Sequence, residues 1–99
     1  MKRVLLVHAD DDVANAISDI KKGEGFECVF DDRKKQLSAL EDIPFGFKVA
    51  VNDISAGKGI MKYGQIIGRA SRDIKIGECV HIHNIEGTRG RGDQEGGGR

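Results

Sequence analysis

Two histidines near the end of the sequence are spaced for metal binding or proton transfer. His81 and His83 lie in "ECVHIHNI", where apolar and polar residues alternate as in a β-strand. A strand places both imidazoles on one face, about 7 Å apart. Both can then ligate one divalent ion, or one can ligate while the other carries a proton. The alternative is a solvated sheet face on which two imidazoles occur by chance.

A second group of such residues stands near the start. His8 follows the apolar stretch "KRVLLV" and precedes three consecutive aspartates, of which Asp11 and Asp12 are the candidate ligands. Carboxylate oxygens suit hard divalent cations, so this segment can help to bind one. The alternative is a solvated turn with a local excess of negative charge.

Cations near the middle of the chain can hold a carboxylate, arginine by a paired fork and lysine as a point charge. Taken alone, each is more often an ordinary surface charge. The candidates are Lys48, Lys62, Arg69 and Arg72.

The elements that position these residues are indicated by a repeat. The pattern Asp-Ile-x-x-Gly occurs at 19–23, 53–57 and 73–77. We interpret each copy as strand, tight turn and strand: the aspartate bonds nearby backbone amides, the isoleucine enters the core, and the glycine takes a positive φ. Chance recurrence in a glycine-rich chain is the alternative. The fold class expected is all-β.

The other segments carry weaker signals. "KRVLLVH" predicts a first strand, whereas "VANAISDI" also fits one face of a short helix. "DDRKKQLSALEDIPFG" is interpreted as a surface excursion or a short helical turn, and "KYGQIIGRA" as bends between short strands. Residues 1–86 are expected to form one domain and residues 87–99 a flexible tail rich in glycine and arginine.

Composition excludes several classes of function. Sixteen basic and sixteen acidic residues cancel, so no net charge attracts nucleic acid, and the two Arg-Gly pairs of the tail are a weak RNA-binding signal. No stretch approaches the length of a membrane span or of a signal peptide's apolar region. Cys28 and Cys79 are expected to be free thiols in the cytoplasm. Exposed strand edges make a homodimer a possible assembly.

Several of these segments together resemble one family. They are "HADDDVANAI", the run from Pro44 to Asn84, and "RGRGD". This set is similar to the small amino-terminal domain of altronate dehydratase, which also occurs in galactarate dehydratase and as the small subunit of sulfolactate sulfo-lyase. The resemblance implies the SAF, or β-clip, fold of short strands. It also implies a lyase acting on a sugar acid or sulfonated acid with a divalent metal, often Fe²⁺, with Mn²⁺ or Ca²⁺ as alternatives.

The resemblance also suggests roles for individual residues. A large catalytic subunit would carry most of the active site, and this chain would complete it. Implied as catalytic are His8, Lys62, Tyr63 and His83; as substrate-binding, Lys48, Arg89 and Arg91; and as metal ligands, Asp11, Asp12, His81 and His83.

Two positions depart from the family pattern. Phe47 stands where the family commonly has histidine, and Cys79 replaces another frequent histidine. A phenyl ring neither ligates metal nor moves a proton, whereas Cys79 is either a thiolate ligand or a small core residue.

Two other functions remain open from the sequence. One is a stand-alone module that binds a metal or a carbohydrate acid without catalysis, which Phe47 favours slightly. The other is a scaffold whose tail docks a partner and whose histidines are incidental.

Overall fold

The computed structural model describes residues 2–87, and its regular structure consists of nine short β-strands. They are β1 (Lys2–Leu5), β2 (Val13–Ala16), β3 (Gly25–Phe30), β4 (Arg33–Ser38), β5 (Lys48–Ala50), β6 (Gly59–Lys62), β7 (Gln65–Ala70), β8 (Cys79–Val80) and β9 (Ile85–Glu86). Six form one sheet in the order β4-β3-β1-β2-β5-β8, and β6, β7 and β9 form a second. The all-β prediction is confirmed.

No helix capable of crossing a membrane is found between residues 2 and 87.

In the larger sheet, β1 and β3 run parallel, and the remaining neighbours pair antiparallel.

The repeat that organises the fold has one more copy and one more fixed position than the three-copy pattern found in the sequence. A fourth copy, Asp42-Ile43-Pro-Phe-Gly46, lies in the segment interpreted as a surface excursion, and an alanine stands three residues before every aspartate. All four alanines and all four isoleucines are at most 2% exposed. The full pattern is Ala-x-x-Asp-Ile-x-x-Gly, and each copy joins one strand to the next, as predicted for the three copies recognised. Its copies occupy residues 16–23, 39–46, 50–57 and 70–77.

The copies associate in two pairs, which we call clip A (residues 16–24 with 39–47) and clip B (residues 50–58 with 70–78). In each clip the two isoleucines exchange two backbone hydrogen bonds, between Ile20 and Ile43 in clip A and between Ile54 and Ile74 in clip B. These bonds are 2.7–2.8 Å long. Each clip is therefore a reciprocal contact between two like turns, with both isoleucines buried beneath it.

The aspartates act across the clip and not within their own turn. Each carboxylate accepts a hydrogen bond from the backbone amide that lies three residues beyond the partner copy's aspartate. The expected bond to a nearby amide of the same turn is thus replaced by a long-range one. The four bonds are Phe45 N to Asp19 (2.8 Å), Lys22 N to Asp42 (2.9 Å), Ile76 N to Asp53 (2.9 Å) and Ala56 N to Asp73 (2.8 Å).

Each clip encloses a hairpin, β3–β4 in clip A and β6–β7 in clip B. Two core clusters follow this division. One gathers around Ile20, Ile43 and Phe26, and the other around Ile54, Ile60 and Ile74. Burying an aliphatic side chain of this size contributes about 1.5–3 kcal/mol. Strands β2 and β5 contribute to both clusters and so join the halves.

The interpretation of "DDRKKQLSALEDIPFG" as an excursion or helical turn is wrong. Its first part forms β4, whose six residues pair with β3 in register from Phe30–Arg33 to Gly25–Ser38. Because β4 is an edge strand and mostly exposed, its side chains carry no apolar alternation. The tip is made by Asp31, whose φ is 54°, a conformation that aspartate tolerates better than most residues.

The strand predicted over "ECVHIHNI" is also wrong after its third residue, Val80. Only Cys79–Val80 is extended, and residues 81–84 then form a turn before β9. The buried side chain of Asn84 closes this turn, accepting from the His81 amide (2.9 Å) and donating to the Cys79 carbonyl (2.8 Å). A side chain that bonds its own backbone in this way offers an alternative to the sheet ladder.

Two clip glycines provide a matched test of this packing. Gly57 and Gly77 both have positive φ (85° and 96°), but a Cβ on Gly57 would meet nothing within 4 Å. A Cβ on Gly77 would clash with the Ser38 carbonyl oxygen and lie 3.2 Å from the Leu40 amide nitrogen, where clip B touches clip A.

We expect Gly57→Ala to lower the free energy of unfolding by about 1 kcal/mol, the cost of the strained backbone. Gly77→Ala should lower it by at least about 3 kcal/mol, because backbone must also move. Urea unfolding of both variants measures this. Equal losses would contradict the contact between the clips, whereas failure of Gly77→Ala alone to fold agrees with it.

Candidate functional site

The tip of the β6–β7 hairpin has an unusual backbone. Tyr63 and Gly64 both have positive φ, 57° and 72°, the arrangement of a type I′ turn. Glycine adopts this conformation without strain, but a bulky aromatic residue there is rare and costs about 1–2 kcal/mol. Other contacts must therefore hold Tyr63 in place.

Asp11 supplies those contacts. Its carboxylate accepts hydrogen bonds from the amides of Tyr63 (2.9 Å), Gly64 (2.9 Å) and His8 (3.2 Å). The side chain is 1% exposed, so these three donors replace the water it has lost. Asp11 thus ties the loop after β1 to the hairpin tip.

Asp12 makes a similar connection one residue later. Its carboxylate accepts from the Met61 amide (3.0 Å) and from the side-chain amide of Asn52 (3.2 Å), and it too is buried. Both aspartates predicted as metal ligands are therefore engaged with N–H groups of the protein, which gives them a structural task that the sequence did not reveal.

Lys62, predicted as catalytic, is the most unusual side chain of the site. It is only 2% exposed, and among residues 2–87 its ammonium has no hydrogen-bond partner. The nitrogen lies 3.9 Å from the centroid of the Tyr63 ring. A cation over an aromatic face gains about 0.5–2 kcal/mol, which offsets only part of the cost of burying an ammonium. Its hydrogen-bonding capacity remains unused.

His8 covers the same hairpin tip from the solvent side. A Cβ on Gly64 would lie 3.1 Å from Cδ2 and 3.3 Å from Nε2 of the imidazole. Gly64 therefore allows the close approach of the ring as well as the turn. Three of the four residues predicted as catalytic, His8, Lys62 and Tyr63, are thus brought together, and we call this group with Asp11 the hairpin-tip site.

The fourth predicted catalytic residue, His83, belongs to a different place. It lies exposed in the turn after β8. In the same turn the ring of His81 packs against Phe47, with ring centroids 4.7 Å apart and planes tilted by 45°. Because this segment is a turn, the expected common strand face for the two imidazoles is wrong.

The neighbourhood of Cys79 is apolar and acidic. Burial, together with the smaller effect of the nearby Glu41 carboxylate, raises the pKa of the Cys79 thiol to about 11, and Lys48 opposes both effects. Of the two roles left open for this residue, the structure shows the small core residue, because the thiol is buried and protonated at neutral pH. Lys48, predicted to bind substrate, is half-buried on β5.

The predicted metal ligands do not form one site. Between Lys2 and Gly87, no three His, Cys, Asp or Glu side chains gather in an arrangement that could hold a metal ion. Arg89 and Arg91, the other predicted substrate-binding residues, and the predicted tail of residues 87–99 lie outside the described residues, except for Gly87.

Sequence reasoning gave no role to two asparagines that shape these sites. Asn52 bonds the Asp12 carboxylate, and Asn84 closes the histidine turn. Both asparagines lie in the run from Pro44 to Asn84 that carried the resemblance, but the sequence alone indicates no hydrogen-bonding role for either.

Fold and site together define a small clipped β-domain that presents a polar site at one hairpin tip. The family described as the altronate/galactarate dehydratase SAF domain matches residues 2–88, and the chain belongs to this family.

Individual relatives agree with this assignment. Altronate dehydratase of Bacillus subtilis (strain 168) is 39% identical over 86 residues, covering 87% of this chain and 16% of that protein. Altronate dehydratase of Escherichia coli (strain K12) is 41% identical, covering 79% of this chain and 15% of the relative. The (2R)-sulfolactate sulfo-lyase subunit alpha of Paracoccus pantotrophus is 41% identical over 54 residues, which are 54% of this chain and 81% of the subunit. The chain thus spans about a sixth of the altronate dehydratases that it matches.

The role of Asp11 leads to a stability prediction. In Asp11→Asn an amide group must face backbone N–H donors, so at least one bond is lost inside a buried site. We expect the free energy of unfolding to fall by about 2 kcal/mol.

The neighbouring Asp10→Asn is the matched control, because the Asp10 side chain is exposed; it should change stability by less than about 0.5 kcal/mol. Thermal unfolding in the presence of a chelator measures both. If Asp11→Asn is as stable as Asp10→Asn without metal, the carboxylate does not hold the hairpin tip.

The Cys79 environment leads to a pH prediction. The thiol has a higher pKa in the folded protein, about 11, than its ordinary value of 9.0. The unfolded chain therefore loses the proton first, and the stability that depends on the neutral thiol is complete below pH 9 and lost as the pH rises towards 11.

Between pH 9 and pH 11 we expect the free energy of unfolding of the wild type to fall by up to about 2 kcal/mol more than that of Cys79→Ala. Urea unfolding at several pH values measures the difference. Parallel pH profiles for the two proteins would contradict a buried neutral thiol.

Proposed function

We propose that this chain is the small β-clip component of a sugar-acid dehydratase-type lyase, and that its hairpin-tip site binds the carboxylate of the acid. The observation that carries the proposal is the buried ammonium of Lys62, which has no hydrogen-bond partner within the described part of the chain. A carboxylate is the natural complement, because it supplies both opposite charge and acceptor oxygens.

The chemistry of dehydration gives this contact a purpose. Removing the proton next to a carboxylate builds negative charge on that carboxylate, and a fixed cation that faces the charge stabilises the transition state. Lys62 would provide the cation, and its position is fixed because Asp11 holds the adjacent turn.

His8 and Tyr63 would complete the site. The His8 ring lies against Gly64, next to Tyr63, and imidazole takes and gives protons near neutral pH. The Tyr63 side chain is exposed, and its phenolic hydroxyl can donate a hydrogen bond to a hydroxyl of the acid. In this proposal His83 takes no part at the hairpin tip.

A metal ion fits this chain poorly. The Asp11 and Asp12 carboxylates are occupied by N–H donors, and the residues between 2 and 87 gather no set of three ligands. The divalent metal expected from the family would therefore be held mainly by groups outside the described residues.

A large catalytic domain is the proposed partner, whether on another chain or on the same one. Relatives of this chain include a protein named as a subunit alpha, and others in which the matching segment is about a sixth of the protein. The small domain would close an active site whose remaining residues belong to the larger one.

The proposal is tested by purifying the tagged chain from its own cells and assaying the purified material. The substrates are altronate, galactarate and sulfolactate, with loss of the acid or release of sulfite as the measurement.

In this material we expect Lys62→Met to lower kcat/KM by about 100-fold, because a cation facing developing charge is lost. Lys58→Met removes the same charge from an exposed position and is the control. Loss of activity in both variants, or in neither, would remove Lys62 from the site. Absence of all three activities from the purified wild type would overturn the lyase proposal itself.

A further inference from the structure

A separate cavity of about 330 Å³ opens beside the β3–β4 hairpin, within the size range of small-molecule sites. Its floor is apolar, built from Leu6, Cys28, Phe30 and Val51. None of these residues belongs to the hairpin-tip site. Leu6 follows β1, Val51 follows β5, and the other two lie on β3, so parts of the larger sheet form the floor together.

One wall of the cavity is lined by three consecutive cationic residues of the edge strand β4, Arg33, Lys34 and Lys35. Because side chains alternate along a strand, Arg33 and Lys35 share the face of their partners Phe30 and Cys28, and Lys34 lies on the other face. Within the part of the chain described, none of them forms an ion pair with a carboxylate. Asp31 and Asp32 precede them at the hairpin tip but do not line the cavity. The wall therefore presents uncompensated positive charge.

The charge lies close to the apolar floor. Lys35 is directly opposite Cys28 in the β3–β4 register, and its ammonium counteracts the rise that burial causes in the pKa of the Cys28 thiol. One end of a ligand can thus contact the cations while its body rests on the floor.

The acidic residue that lines the cavity does not cancel this attraction. Asp11 reaches the lining, but its two oxygens accept three backbone N–H bonds from the loop after β1 and the hairpin tip. These dipoles compensate its charge locally.

We propose that this cavity binds a small organic anion, a carboxylate with an apolar body. The cations select the negative group, and the floor selects the body by burying its apolar surface. A sugar acid is a poor match, because each hydroxyl buried against this floor without a hydrogen-bond partner opposes binding. The cavity thus differs from the proposed substrate site in its ligand, and of the residues that form the hairpin-tip site only Asp11 also lines the cavity.

The experiment is a titration of the ¹⁵N-labelled chain followed by amide chemical shifts. The probe is hexanoate, with gluconate and inorganic phosphate as comparators. We expect hexanoate to give saturable shifts at Leu6, Cys28, Phe30 and Val51 below about 20 mM, as for a weak fragment-sized ligand. Phosphate and gluconate should not give saturable chemical-shift changes at these residues.

Variants locate the charge that matters. Arg33→Gln combined with Lys35→Gln should weaken hexanoate binding about tenfold, because two attractive charges are removed. Lys21→Gln combined with Lys22→Gln removes equal charge from exposed positions in clip A and should leave the affinity within about twofold. All four positions are exposed, so the variants should keep the wild-type spectrum.

Three results would overturn the proposal. The first is that hexanoate gives no saturable shift. The second is that phosphate saturates the same residues equally, which would leave the apolar floor without a role. The third is that both pairs of substitutions weaken hexanoate binding equally. None of them affects the lyase proposal, which depends on Lys62 and is measured by activity. Conversely, loss of the lyase proposal leaves this titration unchanged.

Discussion

Four aspartate carboxylates bonded across paired turns hold this domain together. Residues 2–87 form nine short strands, which give a domain of this size little regular sheet from which to draw stability. Backbone amides in its turns need other acceptors. Each clip satisfies two amides with charged acceptors and buries two isoleucines beneath them. Bonds to charged groups contribute more than neutral ones, typically about 1.5–3 kcal/mol when well protected, and less at exposed positions such as these.

The hairpin-tip site depends on this arrangement. Clip B fixes the base of the β6–β7 hairpin, and Asp11 fixes its tip from the loop after β1. Between these two attachments the chain can sustain a tyrosine with positive φ and an ammonium that is buried without a hydrogen-bond partner in the described structure. Strain and unused hydrogen-bonding capacity persist only where surrounding structure determines the geometry, and they are characteristic of binding sites.

The sequence revealed the architecture better than the geometry of its sites. Asp-Ile-x-x-Gly identified strand-turn-strand units because glycine with positive φ and buried isoleucine leave a local signature. The pairing of the units was invisible, since it depends on bonds from each aspartate to an amide some twenty residues away. Alternation failed at His81 and His83 because a single side chain, Asn84, redirects the backbone there. His8, Lys62 and Tyr63 could be named in advance from the family resemblance. The approach of His8 to the other two could not, because Asp11 brings the loop after β1 to the hairpin tip.

The similarity of the two clips has a consequence for how such a domain diversifies. Each half contains the same frame, and only the hairpin enclosed by the frame differs: six-residue strands with a cationic edge in one, and a shorter hairpin with a buried lysine in the other. The two halves thus repeat one frame around two different hairpins. Selection can then change the length or charge of one hairpin while the other keeps its task, so a single small domain can acquire a second ligand without losing the first.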